Sequence, residues 1–254
     1  MKIALFSDIH ANLPALEAFF ESVAAKKPDA IYCLGDLVGY NTWPNEVINA
    51  IRQRGIPTIK GNYDEGIGLM RGDCGCAYKT EKDQENGSQS IAYTDAVVGA
   101  AERSYLRGLP AHIRVDFSFH NEKNSLLLVH GSPRRINEYL FEDREEKSLL
   151  RILQDAQADI LCFGHTHKPY HRIMQAPDGR LRHAINTGSV GKPKDGDPRG
   201  CYVLLTINPD VASREKEHVT VEFVRFDYDV EKAAASIEAS PLPNDFADML
   251  RKGY

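Results

Sequence analysis

The sequence predicts an α/β fold, and three observations predict it. Short apolar runs rich in β-formers end in Gly, Asn, Asp or His: Ile3-Ala4-Leu5-Phe6, Ala30-Ile31-Tyr32-Cys33-Leu34, Ile56-Pro57-Thr58-Ile59, Leu126-Leu127-Leu128-Val129 and Ile160-Leu161-Cys162-Phe163. Helical patterns alternate with these runs over residues 2 to 65. The strand–loop pattern then resumes after Leu126. Runs of this kind read as buried strands emptying into loops. A βαβαβ alternation implies parallel strands with right-handed crossovers.

The elements follow in order. The helix after Asn12 opens with Leu13-Pro14, proline being favoured in a first turn, and sets Leu16, Phe19, Phe20 and Val23 on one face. A second helix after Pro44 carries Val47, Ile48 and Ile51, and Gly55 ends it. Residues 66 to 109 break the pattern with Gly66, Gly68, Gly72, Gly75 and Gly87, a polar stretch from Lys79 to Asn86, and helical sequence from Ser88 to Leu106. Two readings stand: an insertion forming a lid over a site, or a helical excursion packed on the surface. Gly131 to Arg144 is a long polar loop, and a helix follows at Glu145 to Gln157. Strands at Leu181 to Thr187, Cys201 to Ile207 and Val219 to Phe226 form a meander, with a hairpin turn over Pro209 to Glu217. Helices at Asp229 to Ala239 and Asn244 to Lys252 end the chain, and residues 1–254 read as one domain.

Composition narrows the function classes. The 254 residues are 42% hydrophobic and 26% charged, which fits a soluble globular protein with a full core. A net charge of -5 supplies no global field for non-specific nucleic-acid binding. No apolar run approaches the roughly 20 residues that span a bilayer, so no membrane partner is expected. A four-residue apolar run followed by Asp8 and His10 is no signal peptide, and the cytoplasm is the expected location. Five scattered cysteines, at 33, 74, 76, 162 and 201, point to reduced thiols. Cys33 and Cys162 read as small core residues. Cys74-Gly75-Cys76 lacks a matching second pair and reads as surface thiols rather than a metal or redox pair.

Five motifs stand where strands end: Asp8-Ile9-His10, Gly35-Asp36, Gly61-Asn62-Tyr63-Asp64, His130-Gly131 and Gly164-His165-Thr166-His167. Side chains at the carboxyl ends of parallel strands converge on one crevice. Asp8 and His10 are two apart, as are His165 and His167, so on an extended strand end each pair points to one side. Asp36 can reach between two ions with its two oxygens, while Asn62 and His130 complete a second site. The mixed nitrogen and oxygen set suits Mn, Fe, Zn, Co or Ni. Two such ions, about 3.5–4 Å apart, would share a bridging water or hydroxide of lowered pKa and neutralise charge on a phosphoryl group.

These motifs resemble the calcineurin-like metallophosphoesterases, in the small bacterial and archaeal phosphodiesterase-like branch. The pattern Asp-x-His, Gly-Asp, Gly-Asn-His-Asp/Glu, His and Gly-His-x-His runs through residues 8 to 167, and Asn186-Thr187-Gly188-Ser189-Val190-Gly191 resembles the strand-turn that follows it. The resemblance implies a four-layer sandwich of two mixed β-sheets flanked by helices, with a dinuclear site at one rim. It also implies a ligand set: Asp8, His10 and His167 on one metal, Asn62, His130 and His165 on the other, and Asp36 bridging. The chain departs from the family at Tyr63, where many relatives carry a His that stabilises the transition state or protonates the leaving oxygen. A tyrosine hydroxyl, with an ordinary pKa of about 10, is a poorer acid at neutral pH. It can still donate to a phosphate oxygen, or the ring can simply pack. Asp64, which would orient that His, loses the role. Slow turnover, or a preference for good leaving groups, is expected.

Further candidates carry paired readings. Asn12 contacts the substrate or, as its sequence neighbours favour, caps a helix. Arg134 and Arg135 grip a phosphate or stand as solvated loop charge. Thr166 and Ser189 give hydrogen bonds to the ligand residues. His112, His120, His171, His183 and His218 lack ligand spacing. The expected activity is dinuclear metal-dependent phosphoester hydrolysis, most readily of phosphodiesters. Gly35-Asp36-Leu37 lacks the Asp-Arg-Gly extension of protein phosphatases. Nucleotide or dinucleoside polyphosphate hydrolysis and phosphomonoester hydrolysis stand as alternatives, as does a non-catalytic binding scaffold that kept the fold. The partner expected is a small phosphoester or nucleotide; self-association stays open.

Overall fold

The computed structural model describes residues 1–119 and 122–254. In chain order the elements are β1 (Lys2–Phe6), α1 (Leu13–Lys26), β2 (Ala30–Cys33), α2 (Pro44–Gln53), α3 (Asn62–Gly68), α4 (Glu81–Val97), α5 (Ala100–Gly108), β3 (Ile113–Phe119) and β4 (Glu122–Leu128). Then come α6 (Glu146–Asp155), β5 (Ile160–Phe163), β6 (Tyr170–Gln175), β7 (Leu181–Asn186), β8 (Gly200–Ile207), β9 (Val219–Phe226), α7 (Val230–Glu238) and α8 (Asp245–Lys252). Among the described residues no helix is long and apolar enough to cross a membrane.

The strands make two mixed sheets, ordered β2-β1-β8-β9 and β3-β4-β5-β7-β6. β1 runs parallel to β2, and β5 runs parallel to both β4 and β7. Period-two alternation on β1 divides two cores. Ile3 and Leu5 face Leu126, Leu128, Ile160, Cys162, Ile185 and Val203 between the sheets, while Ala4 and Phe6 face Leu16, Phe19 and Val23 of α1. On the far side, Leu127, Leu161 and Phe163 pack on Leu149, Ile152 and Leu153 of α6. Where both sheet faces are covered, as at β1, β5 and β8, the strands need apolar residues at nearly every position and read as continuous runs, whereas β6 and β9 at the sheet edges mix polar and apolar residues.

Four expectations are corrected. The last strands do not form one meander: β7 lies in the second sheet between β5 and β6, while only β8 and β9 pair as a hairpin in the first. Ile56 to Ile59 is no third strand: a single parallel bridge joins Thr58 to Cys33. Pro57 has no N–H to give to a ladder. The helix expected from Ser88 begins earlier, α4 starting at Glu81 inside the polar stretch from Lys79 to Asn86. Thr80 and Asp83 cap it reciprocally, Asp83 N–H to Thr80 Oγ1 at 3.1 Å and Thr80 N–H to Asp83 Oδ2 at 3.2 Å. The helical stretch to Leu106 is two helices, broken where Val98 turns extended (φ -68, ψ 123). These helices are fastened to the body by Tyr40 N–H to Ser90 Oγ (2.8 Å), Asn45 Nδ2 to Val97 O (2.8 Å) and Asn86 Nδ2 to Asp245 Oδ2 (2.9 Å).

Leu5 sits wholly buried in the central strand that joins both partners of its sheet to the inter-sheet core. Leu5→Ala is expected to cost about 2–5 kcal/mol of unfolding free energy, read from the urea midpoint at unchanged slope. A loss under about 1 kcal/mol would mean that the sheets close over the void and are not packed as described.

Candidate metal centre

The carboxyl ends of β1 and β2 in one sheet face those of β4 and β5 in the other. Asp8 and His10 follow β1, Asp36 follows β2, His130 follows β4, His165 and His167 follow β5, and Asn62 opens α3. The two-apart pairs do not lie on extended strand ends, as their spacing suggested. Asp8 (φ 55), His10 (φ 50), Asp36 (φ 57), His165 (φ 64) and His167 (φ 59) all take left-handed backbone. Such conformations cost L-residues roughly 1–3 kcal/mol each and gather at functional sites. Neighbouring chain holds them. The N–H groups of Asp8, Ile9 and His10 donate to Gly35 O and Asp36 O at 2.9–3.0 Å, and Gly191 N–H donates to Asp8 O at 3.0 Å. Buried Asp64 accepts from the N–H groups of Asp36 (2.8 Å), Leu37 (2.9 Å) and Gly61 (2.9 Å). Its role here is to pin the Asp36 loop; burial, then the neighbouring Asp36 charge, pushes its carboxyl up to about 7.

Asp8, His10 and His167 form one group of potential ligands. His10 Nδ1 donates to Val38 O at 3.0 Å and His167 Nδ1 to Lys192 O at 2.5 Å. With the ring protons placed there, both Nε2 atoms carry lone pairs, yet they stand 3.2 Å apart. Burial holds His10 down at about 3 and His167 well below the ordinary value, so neither ring takes a second proton readily. Asp8 Oδ2 accepts from Ser7 Oγ (2.5 Å) and His165 N–H (3.0 Å). Its Oδ1 is buried without a hydrogen bond among the described residues, 3.2 Å from His167 Nε2. Two lone pairs and a bare carboxylate oxygen aimed at one point fit a cation.

Asp36, His130 and His165 form the second group. His130 Nδ1 donates to Leu34 O at 2.8 Å, and its Nε2 lies 3.3 Å from Asp36 Oδ2 and 3.1 Å from Asn62 Oδ1. The Asn62 amide is turned by its Nδ2, which donates to Cys74 O (2.8 Å) and Cys76 Sγ (3.4 Å). His165 Nε2 is buried and without a hydrogen bond among the described residues, and burial lowers its pKa to about 4. Asp36 Oδ2 also lies 3.6 Å from His10 Nε2, so this one oxygen stands between the groups. Burial opposes charge on His130, but Asp36 outweighs it and raises His130 to about 10. Burial likewise opposes charge on Asp36, and His130 outweighs it, holding that carboxyl low. Without metal, a proton on His130 supplies the positive charge this group is built around. The donor set of both groups fits two divalent cations.

The remaining predicted residues fall elsewhere. Tyr63 is 1% exposed, its ring edge-on to His10 at 5.4 Å and packed beside Tyr40, and its hydroxyl makes no hydrogen bond among the described residues. It serves Asp36 through its backbone, N–H to Oδ1 at 2.9 Å. Asn12 is wholly buried and caps α1 through Ala15 N–H at 3.2 Å, which takes it off the substrate surface. Arg134 is occupied by Glu138, whereas Arg135 lines a cavity with Asn62. Ser189 Oγ donates to Asp8 O at 2.7 Å, and Thr166 Oγ1 accepts from Asn186 Nδ2 at 3.0 Å. Cys74 is buried, not a surface thiol. His171 and His183 bond each other at 3.0 Å, far along the second sheet. His120 lies outside the described residues. Sequence reasoning missed Ser7, Cys76, Tyr139 (ring 4.1 Å from that of His165), Lys192 and Lys194. The Lys-x-Lys directly after the Asn186–Gly191 stretch was the available signal for the last two.

Comparison with known proteins agrees with this geometry. The sequence pattern of the calcineurin-like phosphoesterase superfamily domain matches residues 1–210. An uncharacterized protein of Methanocaldococcus jannaschii is 28% identical over 268 aligned positions, covering 99% of this chain and 98% of that one. The crystal structure of a metallophosphoesterase from Sphaerobacter thermophilus is similar with TM-score 0.73 and 27% identity, over 100% of this chain and 99% of that one. A hypothetical protein from Pyrococcus horikoshii shares the fold with TM-score 0.79 at 21% identity, over 100% and 98% of the two chains.

Because Asp36 raises His130 above neutrality, a cation must displace its proton. Affinity of metal-stripped protein for Mn²⁺ or Zn²⁺ is therefore expected to rise with pH from about 7 toward 9, by roughly tenfold per unit for one displaced proton. Calorimetry in buffers of different ionisation heat counts that proton. The linked stability runs the other way: the His130–Asp36 pair stabilises metal-free protein fully below the ordinary imidazole pKa near 6.5 and stops doing so as pH rises through about 10. Affinity flat across this window would mean that metal displaces no proton from His130, and so that Asp36 does not hold that ring protonated.

Proposed function

This chain belongs to the calcineurin-like phosphoesterase superfamily, and from that premise we propose that it is a dinuclear metal-dependent phosphoesterase acting on phosphodiesters. The observation that carries the reading is Asp36 Oδ2, within 3.6 Å of His10 Nε2 and 3.3 Å of His130 Nε2, one from each ligand group. Bound there, two divalent cations supply Lewis acidity toward phosphoryl oxygens and a water acidic enough to ionise near neutral pH. The mixed imidazole and oxygen donors fit Mn, Fe, Zn, Co or Ni.

The chain's own part is orientation and charge. Val38, Leu34 and Lys192 carbonyls keep the protons of His10, His130 and His167 at Nδ1 and leave each Nε2 free to ligate. Ser7 and the His165 amide hold Asp8 Oδ2 and direct Oδ1 inward. Two cavities adjoin the centre, on either side of the Cys74–Cys76 segment and with no lining residue in common. One, of about 320 Å³, includes Tyr40, Cys76, Tyr139 and Lys194; the other, of about 630 Å³, includes Asn62, Arg71, Cys74 and Arg135. Two cavities suit the two organic arms of a diester, which favours that substrate over a monoester. The scaffold reading is opposed by the convergence of all seven ligand side chains. Free cysteines at all five positions, four of them buried, support a reducing location such as the cytoplasm.

The leaving oxygen has no imidazole from position 63 to protonate it, because the Tyr63 ring is enclosed. Activity on a series of aryl phosphodiesters is therefore expected to fall steeply as leaving-group pKa rises. With metal-stripped protein reloaded singly with Mn²⁺, Zn²⁺, Co²⁺ or Ni²⁺, bis(4-nitrophenyl) phosphate should be hydrolysed faster than 4-nitrophenyl phosphate. Asp36→Asn should lower kcat by roughly 10²–10³-fold or more and reduce bound metal. Unchanged activity and metal content in that variant would sink the reading.

A further inference from the structure

We infer that the cavity on the Tyr40–Tyr139 side seats a nucleotide carrying a phosphate beyond the one that reacts, with its base against the tyrosines and that extra phosphate on Lys192 and Lys194. This rests on the phosphoesterase reading above, which places the reacting phosphoryl group at the metal centre.

Lys192 is 3% exposed and lines the cavity. Its Nζ lies 4.8 Å from the centre of the Tyr40 ring and donates to Met249 Sδ at 3.5 Å. Among the described residues no carboxylate pairs with it. Burial pushes this amine well below the ordinary lysine range, because the thioether and the ring face supply no negative charge to offset desolvation. An unpartnered amine buried against the cavity is where an anionic ligand would supply the missing charge. Lys194 lines the same cavity, half-buried and also without a carboxylate partner among the described residues. Asp83 also lines the cavity; its Oδ2 accepts from the Thr80 N–H at 3.2 Å, and it makes no ion pair with either lysine among the described residues. Both lysines stand on the loop whose backbone anchors His167, so an anion held there lies next to the metal centre.

The rest of the lining is aromatic. Tyr40, Tyr78, Tyr139 and Phe246 surround the space, and Tyr139 lies on His165 at 4.1 Å between ring centres, joining the cavity to the ligand groups. Flat aromatic walls bind a π-faced group with little regard to its hydrogen-bonding edge. A volume of about 320 Å³ is at the small end for ligand sites and suits one nucleoside rather than two. A lone phosphate would leave the tyrosines unused, and a neutral aryl group would leave the lysines unmatched.

The test is calorimetric binding to the full, metal-loaded protein of adenosine 5′-(α,β-methylene)diphosphate, AMP, adenosine and inorganic pyrophosphate. The methylene diphosphate is expected to bind tightest, with adenosine weakest. Lys192→Met and Lys194→Met, shown folded by circular dichroism, should each weaken it by roughly 10- to 100-fold while leaving adenosine affinity in place. Tyr78→Ala should weaken the three adenosine ligands and spare pyrophosphate. Adenosine binding as tightly as the diphosphate, or Lys variants that bind it like the parent, would overturn the inference. Hydrolysis of bis(4-nitrophenyl) phosphate by the same preparation separates the two readings. Metal-dependent hydrolysis without nucleotide binding overturns this inference alone, whereas lysine-dependent nucleotide binding without hydrolysis upholds the cavity and overturns the phosphoesterase reading.

Discussion

Three imidazoles whose Nδ1 protons are held by backbone carbonyls set the terms for everything at this rim. Once Val38, Leu34 and Lys192 accept those protons, His10, His130 and His167 have only lone pairs to offer inward. Lone pairs 3.2 Å apart, as on His10 and His167, repel one another in a place that water does not screen. Only positive charge relieves this. In the second group Asp36 draws His130 above its ordinary pKa, so that in the absence of metal a proton on that ring would supply the charge. A divalent cation satisfies the same geometry with more charge and without the ring having to be protonated against its burial.

That arrangement constrains the backbone in turn. The carbonyl acceptors come from two other loops, Leu34 and Val38 from the one after β2 and Lys192 from the one after β7, so these must cross closely with the loops after β1, β4 and β5. Left-handed conformations at five of the ligand positions make the crossings. Closeness also removes side chains: a Cβ at Gly61 would run into the Asp36 carboxylate, and one at Gly164 would run into Ser7 and Asp8. Asp64 closes the arrangement by tying the Gly61 and Asp36 loops through one buried carboxylate. The strain is local, of the order of 1–3 kcal/mol per residue. Four layers packed on either side of each sheet are what make it sustainable.

The layers were legible in the sequence because each strand buried on both faces leaves an uninterrupted apolar run. The candidate ligand residues stand out for a related reason: they come directly after those runs, and the fold brings them together in two groups. What was not legible depends on partners distant in sequence or on polar burial. The start of α4 reads as loop because its buried face consists of Asn86, Gly87, Ser90 and Thr94, with Ile91 as its one large apolar residue. Ile56–Ile59 reads as a strand because its composition hides the donor that Pro57 lacks. Cys74-Gly75-Cys76 reads as chance thiols, whereas its carbonyl and sulfur set the direction of the Asn62 amide. Lys192 does not stand out in the sequence, because its burial depends on α8 bringing Met249 over its amine, a partner distant in the chain. Spacing likewise gave the right pairing of Asp8 with His10 through a strand geometry that the left-handed turn replaces.

Tyr63 is where the fold and the chemistry meet most directly. Gly39 has no side chain, and the Tyr63 ring occupies the space that a Cβ there would need. The ring then stands edge-on to His10 and beside Tyr40, in a buried aromatic group continuous with the core behind α1. A tyrosine enclosed in this way cannot deliver a proton to a leaving oxygen, and burial raises its hydroxyl further from the useful range. What it supplies is rigidity around a ligand ring, and so a fixed direction for a lone pair. Loss of acid catalysis in exchange for orientation places the rate enhancement on electrostatics and positioning. An enzyme relying on those two terms gains most from a substrate whose non-reacting parts are firmly held. In the proposed nucleotide complex, the aromatic walls and the buried Lys192 amine beside His165 and His167 are what would hold them.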